Sequence, residues 1–247
     1  MTVTSAPMPD PVSPALTLDG VAKSFVLHLR GGASLPVVRD VGLEVRPGEC
    51  VVLGGPSGAG KSSILKMIYG NYRIGEGRIL VRDGLEFVDV ATTGPRRIMA
   101  LRRTAMAYVS QFLRVIPRVP TLDVVVEPLL AEGFGLEEAR GRARDLLRRL
   151  NLPARLWSLP PATFSGGEQA RVNIARGFAP SRPILLLDEP TASLDAENRA
   201  VVADLVAEKK QAGTAILAIF HDEEMRDRVA DRIVDVARFA EPHLAHA

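Results

Sequence analysis

A chain of 247 residues with 47% apolar and 24% charged residues can bury a core and stay dissolved, which fits one α/β domain or a core with a subdomain. The net charge of +2, from 31 basic and 29 acidic residues, gives no argument for nucleic acid or a charged membrane surface as a partner. The single cysteine, Cys50, excludes an intramolecular disulfide, and no apolar run approaches the roughly 20 residues of a membrane-spanning helix.

Residues 1–15, MTVTSAPMPDPVSPA, carry four prolines, no basic start and no apolar stretch. They read as a flexible leader, not a secretory signal, and a cytoplasmic chain is expected. Short strands are predicted at 16–18, 41–45 and 50–53, with turns at Gly31-Gly32 and Pro47-Gly48. Cys50 falls within the third strand and reads as a small buried residue. A glycine-rich loop and a helix over 61–69 follow, then weaker strands at 78–81, 86–90 and 105–109. Residues 112–164 change character: helices are predicted at 121–131 and 136–150, punctuated by prolines at 117, 120, 153, 160 and 161. This stretch reads as a helical subdomain inserted between core segments 16–111 and 165–238, with a tail at 239–247. After it, a strand over 184–187, a helix over 195–211, a strand over 214–220, a short helix and a strand over 233–236 alternate. Such alternation implies a largely parallel sheet covered on both faces. Two arginine-rich segments, Pro95 to Arg103 and Arg140 to Arg149, read as solvated faces.

Three stretches carry chemistry. Gly55-Pro56-Ser57-Gly58-Ala59-Gly60-Lys61-Ser62-Ser63 matches the phosphate-binding pattern G-x-x-x-x-G-K-[ST] between a strand and a helix. Glycines let backbone N–H groups curl round phosphates, and the helix N-terminus adds positive potential. Lys61 is placed to neutralise β/γ-phosphate charge and Ser62 to ligate Mg²⁺, so ATP and Mg²⁺ are the expected ligands. Ile184-Leu185-Leu186-Leu187-Asp188-Glu189 is a buried strand with two carboxylates at its C-terminal end, the edge that faces the ligand crevice in open α/β sheets. Asp188 is the candidate Mg²⁺ ligand and Glu189 the candidate general base on the attacking water. Phe164-Ser165-Gly166-Gly167-Glu168 fits a capping box, while Gly166-Gly167 leaves backbone open at a helix N-terminus, which suits a γ-phosphate.

At this point the chain resembles the ABC (ATP-binding cassette) ATPase family, whose signature reads L-S-G-G-Q; Phe164 and Glu168 depart from that pattern and leave Ser-Gly-Gly intact. The resemblance implies a P-loop cassette fold, with a mostly parallel core sheet, antiparallel N-terminal strands and an inserted helical subdomain. It also implies roles for residues in the same order. Gln111 resembles the glutamine that touches Mg²⁺ and senses the helical subdomain. Ser193-Leu194-Asp195 resembles the loop that crosses the dimer interface. His221 resembles the switch histidine at the γ-phosphate. Phe25 is a candidate for stacking on adenine, although a core phenylalanine gives the same signal. Ser165 cannot fold onto its own chain's γ-phosphate, so a head-to-tail pair with a second cassette is expected, either a second copy or a related chain.

Lys61 and Asp188 lie 127 residues apart (188 − 61), with no coiled coil between them and one copy of each motif, which argues against SMC-type and tandem cassettes. The strings VSQFLRVIPRVPTLDVV, LPARLWSLPPATFSGGEQARVNIARGF and IFHDEEMRDRVADR are similar to the L subunit of the bacterial carbon–phosphorus lyase system. That finer resemblance implies soluble lyase subunits as partners and a place in phosphonate breakdown, in the synthase that makes α-D-ribose 1-methylphosphonate 5-triphosphate. A P-loop offers no nucleophile for a ribose carbon, so the glycosyl chemistry would belong to partners. The alternative is the nucleotide-binding subunit of a membrane transporter. Neither nucleic-acid binding nor membrane insertion is expected.

Overall fold

The computed structural model describes residues 13–27, 32–113 and 117–240. Five strands form one parallel sheet in the order β6 (Met106–Val109), β7 (Ile184–Asp188), β8 (Ala215–Ile219), β3 (Cys50–Gly54) and β9 (Arg232–Asp235). The central strands CVVLG, ILLLD and AILAI are apolar almost throughout because both of their faces are covered. Within β3, Cys50 and Val52 point to one core while Val51 and Leu53 point to the other. The first core is closed by helices α3 (Thr121–Ala131), α4 (Leu136–Arg149), α5 (Gly166–Phe178), α6 (Ala196–Gln211) and α7 (Glu223–Val229). The second is closed by α1 (Lys61–Ile68) and an antiparallel sheet ordered β2 (Ala33–Val45), β1 (Leu16–Leu27), β4 (Glu76–Asp83) and β5 (Glu86–Asp89). Cys50 is buried and its thiol is pushed up to about 12 by desolvation, which makes it an inert core residue.

The parallel core and the α3 bounds agree with the sequence reading; several other readings change. The antiparallel sheet is not confined to the N-terminus: β4 and β5, which follow α1, complete it. Strands β1 and β2 are 12 and 13 residues long, longer than the sequence reading, which missed them where bulges in their pairing break the simple alternation. Of the predicted leader, residues 1–12 lie outside the described residues, but Ala15 is buried. Its N–H donates to the Val45 carbonyl at 2.9 Å, and its carbonyl accepts from Arg82 N–H at 2.9 Å. Of the predicted tail, 241–247 lie outside the described residues, whereas Phe239 packs against the second core. Gly31, in the predicted turn, is also outside them.

Helix α2 (Pro95–Thr104) went unread in the sequence because Leu101 is its one buried residue, so no apolar stripe marks it. Its arginines are not simply solvated. The Arg102 guanidinium donates to the Tyr69 carbonyl at 3.0 and 2.8 Å and to Asn71 Oδ1 at 2.8 Å, and Arg97 pairs with Asp83 at 3.1 Å. On α4, Arg140, Arg142 and Arg148 pair with carboxylates of their own helix, as a solvated face does. Arg149 differs, reaching across to Glu208 on α6 with two bonds of 2.9 and 2.6 Å.

Candidate functional site

A parallel sheet turns all its strand C-termini to one edge, and that edge gathers the candidate residues. Gln111 follows β6, Glu189 follows β7, His221 follows β8 and the loop 55–60 follows β3. The neighbours across the edge are therefore set by strand order, not by position in the chain.

The loop enters α1 through Gly60 at φ 93°, where a Cβ would stand 2.7 Å from Val38 Cγ1, so no other residue fits without movement. No side chain caps α1 and no acidic residue occupies its first turn. Its leading N–H groups therefore face outward without a competing anion. Lys61 is 8% exposed, and its Nζ donates to the carbonyls of Gly55 at 2.7 Å and Pro56 at 2.8 Å. Ser62 Oγ donates to Asp188 Oδ1 at 2.8 Å, and Tyr108 Oη donates to Asp188 Oδ2 at 2.8 Å.

Glu189 sits in the left-handed region at φ 52°, held by its N–H bond to the Ile219 carbonyl at 3.1 Å. Its two carboxylate oxygens are gripped separately. Gln111 Nε2 donates to Oε2 at 3.1 Å, and His221 Nε2 lies 2.7 Å from Oε1. A cleft of about 350 Å³ is lined by Phe25, Ser57, Lys61, Ser62, Glu189 and His221, together with further loop glycines, Ser63 and valine and leucine side chains. Phe25 is half-buried on its wall, set edge-to-face on Tyr72 at 5.3 Å with Lys23 Nζ 4.7 Å from its ring centroid. A separate cleft of about 310 Å³ lies behind, under α2, lined by Tyr69, Arg102, Tyr108 and Arg176 among others.

Ser165 is the N-cap of α5, and the capping box is complete. Glu168 N–H donates to Ser165 Oγ at 3.3 Å, and Ser165 N–H donates to Glu168 Oε2 at 2.9 Å. Ser165 and Gly166 are exposed, and a Cβ on Gly167 would meet the Ser193 carbonyl at 3.1 Å. Asp195 caps α6 through Asn198 N–H at 2.9 Å. These donors hold the carboxyls of Glu168 and Asp195 below the usual range, so each cap is intact above the ordinary carboxylate pKa and is lost as pH falls through the depressed one. Among the described residues lining the 350 Å³ cleft, none comes from 165–168 or 193–195. The structure thus brings together Gln111, Asp188, Glu189, His221, Phe25 and the 55–63 loop, and places Ser165–Glu168 and Asp195 elsewhere.

Two residues escaped the sequence reading. Tyr108 reads as one more strand residue, and only its distance to Asp188 marks it. Asn173, buried on α5, donates to the Ser110 carbonyl at 2.5 Å and so anchors the residue before Gln111; a polar residue on the apolar stripe of α5 was the available signal.

Magnesium fits the donor set, since the Asp188 carboxylate and Ser62 hydroxyl are paired hard oxygen ligands. Among the described residues no group of three or more His, Cys, Asp or Glu could cage a cation alone. The remaining positions would go to phosphate oxygens and water, as this ion prefers.

Comparison with known proteins agrees with this fold. The family model described as ABC transporter matches residues 38–192. The lipoprotein-releasing system ATP-binding protein LolD of Maricaulis maris is 38% identical over 230 residues, covering 93% of this chain and 95% of that protein. LolD 2 of Caulobacter vibrioides is 39% identical over 222 residues, covering 90% and 93%. The dimeric structure of a post-hydrolysis state of the ATP-binding cassette MJ0796, bound to ADP and Pi, superposes with a TM-score of 0.80 at 27% identity, covering 90% of this chain and 95% of that one. These relatives are named as ATP-binding proteins of a lipoprotein-releasing system and as an ATP-binding cassette, so they do not support the finer likeness to the carbon–phosphorus lyase system. Among the described residues no helix is long and apolar enough to cross a membrane. With its motifs in the family's order and a relative alike over almost its whole length, the chain belongs to the ABC transporter family and is one of its ATPase cassettes.

Proposed function

We propose that the chain binds MgATP in the cleft beside Lys61 and hydrolyses it to ADP and phosphate when paired head-to-tail with a second cassette. The observation that carries this reading is Glu189, held between Gln111 and His221 on the wall of the cleft that contains Lys61. In this reading Lys61 and the loop N–H groups hold the β/γ-phosphates, and Ser62 and Asp188 hold Mg²⁺ with Gln111 beside it. Glu189 takes the proton of the attacking water and His221 contacts the γ-phosphate. Magnesium, when bound, supplies charge neutralisation on the phosphates. Phe25 is the adenine-facing ring, and residues 112–164 form the helical subdomain.

The exposed N-terminus of α5, outside its own cleft, supports the pairing: Ser165, Gly166 and Gly167 would close on the γ-phosphate of the other subunit, with Asp195 at the crossing. Ser165→Arg is expected to lower hydrolysis at least ~100-fold, the scale of a lost oxyanion donor. Nucleotide binding by the single chain should stay within a few-fold, read by fluorescent-nucleotide titration. Equal loss of binding would mean that Ser165 serves its own cleft.

Of two readings of the driven partner, the comparisons support a transporter partner better than soluble lyase subunits. The chain-wide likeness to LolD favours a membrane permease and the role of a transporter's nucleotide-binding subunit. The strings around Gln111, Ser165 and His221 favour soluble carbon–phosphorus lyase subunits; Phe112, next to Gln111, is 75% exposed, while Arg114, Val115 and Ile116 of that string lie outside the described residues. Affinity purification of Glu189→Gln with ATP from detergent-solubilised cells grown on a phosphonate as sole phosphorus source separates them. A stoichiometric integral permease establishes the first reading, and lyase subunits without one establish the second.

A further inference from the structure

Asp188 is 2% exposed and each of its oxygens has a neutral hydroxyl donor: Ser62 on Oδ1 and Tyr108 on Oδ2, both at 2.8 Å. The two donors are not equivalent. Ser62 stands at the head of α1, on the cleft wall, where a cation and phosphates would sit. A hydroxyl that gives a lone pair to a cation keeps its O–H and can go on donating to Asp188, but its position is then set by the cation as well. Tyr108 is on β6, the strand beside β7, with its ring turned toward the second cleft. It does not line the cleft that holds Lys61 and Ser62.

Tyr108 is also held in place. Its ring lies against Tyr69 with centroids 4.9 Å apart, and the Arg102 guanidinium covers the Tyr69 ring at 4.3 Å while donating to the Tyr69 carbonyl. Burial raises the Tyr69 phenol above its ordinary value, so that ring stays neutral at physiological pH. A cation in the place of Tyr108 would orient Asp188 equally well but would cancel its charge. A phenol orients it and leaves the full negative charge for a divalent ion.

We infer that Tyr108 is a positioning residue that holds the Asp188 carboxylate in its metal-binding orientation through Oδ2, from the side away from Ser62 and the cation. The inference rests on the assignment of Asp188 and Ser62 as the Mg²⁺-binding pair. Tyr108 lies outside the lining of the Lys61 cleft and acts through Asp188. The stack of Arg102, Tyr69 and Tyr108 also gives the cleft under α2 a physical line to the carboxylate.

The test is Mn²⁺ binding followed by electron paramagnetic resonance, in full-length Glu189→Gln with saturating ATP, with and without Tyr108→Phe. The Phe variant keeps the ring and loses one hydrogen bond to a charged group, so the Mn²⁺ concentration at half-saturation should rise roughly tenfold or more. Nucleotide affinity without metal should not change. Tyr69→Leu, which loosens the ring and leaves the hydroxyl, should move the half-saturation in the same direction by less. In the otherwise wild-type chain, Tyr108→Phe should raise the metal requirement for hydrolysis and leave the rate at saturating metal close to the parent's. If Tyr108→Phe lowers the melting temperature but leaves half-saturation within twofold, Tyr108 only fills the core and the inference is overturned. If the parent itself binds no Mn²⁺ beyond what free ATP binds, the metal-site reading fails instead, and Tyr108 with it.

Discussion

Glu189→Gln is expected to lower ATP hydrolysis by at least ~100-fold, the lower end of what a positioned general base contributes. The amide has the shape of the carboxylate but cannot take a proton from water. The surroundings of Glu189 make this a clean substitution. Its backbone is pinned by the Ile219 carbonyl in a left-handed conformation that Gln adopts as well as Glu does. Its two side-chain partners, Gln111 at 3.1 Å and His221 at 2.7 Å, can both bond an amide after a flip or a change of tautomer. Binding should therefore survive while turnover stops, and ATP should accumulate between two subunits. Size-exclusion chromatography checks this: the variant with ATP and Mg²⁺ should elute as a dimer, and without ATP as the smaller species. A variant that hydrolyses at more than about a tenth of the parent rate would remove Glu189 from the role of base.

Lys61→Ala is expected to weaken MgATP binding at least tenfold, about 1.4 kcal/mol. The ammonium bonds the carbonyls of Gly55 and Pro56, neutral acceptors within its own loop. Those bonds keep a cation poised at 8% exposure where desolvation alone would disfavour it. A triphosphate offers it charged acceptors, so binding exchanges weaker bonds for stronger, charge-assisted ones. Alanine removes that exchange and leaves two loop carbonyls without their donor. Titration with a fluorescent ATP analogue reads the affinity, and a thermal melt without nucleotide reads any loosening of the loop. Lys61→Arg should not restore binding, because a planar fork does not fit a turn built around a single ammonium. Unchanged affinity in Lys61→Ala would sink the assignment of this lysine to the phosphates.

Much of this protein follows from local chemistry and was legible without a fold. The 55–63 loop depends on glycine conformations and one lysine, all contiguous. The α5 capping box needs only Ser165 and Glu168, three residues apart. Buried strands such as CVVLG and ILLLD announce themselves by unbroken apolar runs, and the start of α3 by the prolines at 117 and 120 before it. Each of these is determined within a dozen residues, the range over which backbone propensity and hydrophobic period act.

Tertiary structure decided the rest. Ser62 meets Asp188 across 126 residues, Gln111 meets Glu189 across 78 and Tyr108 meets Asp188 across 80. Those encounters follow from the strand order β6-β7-β8-β3-β9, which places β8 between the two motif-bearing strands β3 and β7 and sets β6 beside β7. No local pattern encodes that order, because a buried apolar strand fits any central place in a parallel sheet. Helix α2 depends on packing one leucine and docking Arg102 on the Tyr69 carbonyl, so it lacks a periodic signal. Phe25 joined the cleft, and Ala15 the sheet, through pairing of β1 with β2 and β4, contacts that exist only once the chain has closed on itself. Ser165 and Asp195 are set apart from the cleft for the same reason: α5 and α6 start where their caps dictate, but the packing of those helices on the sheet decides which surface they face.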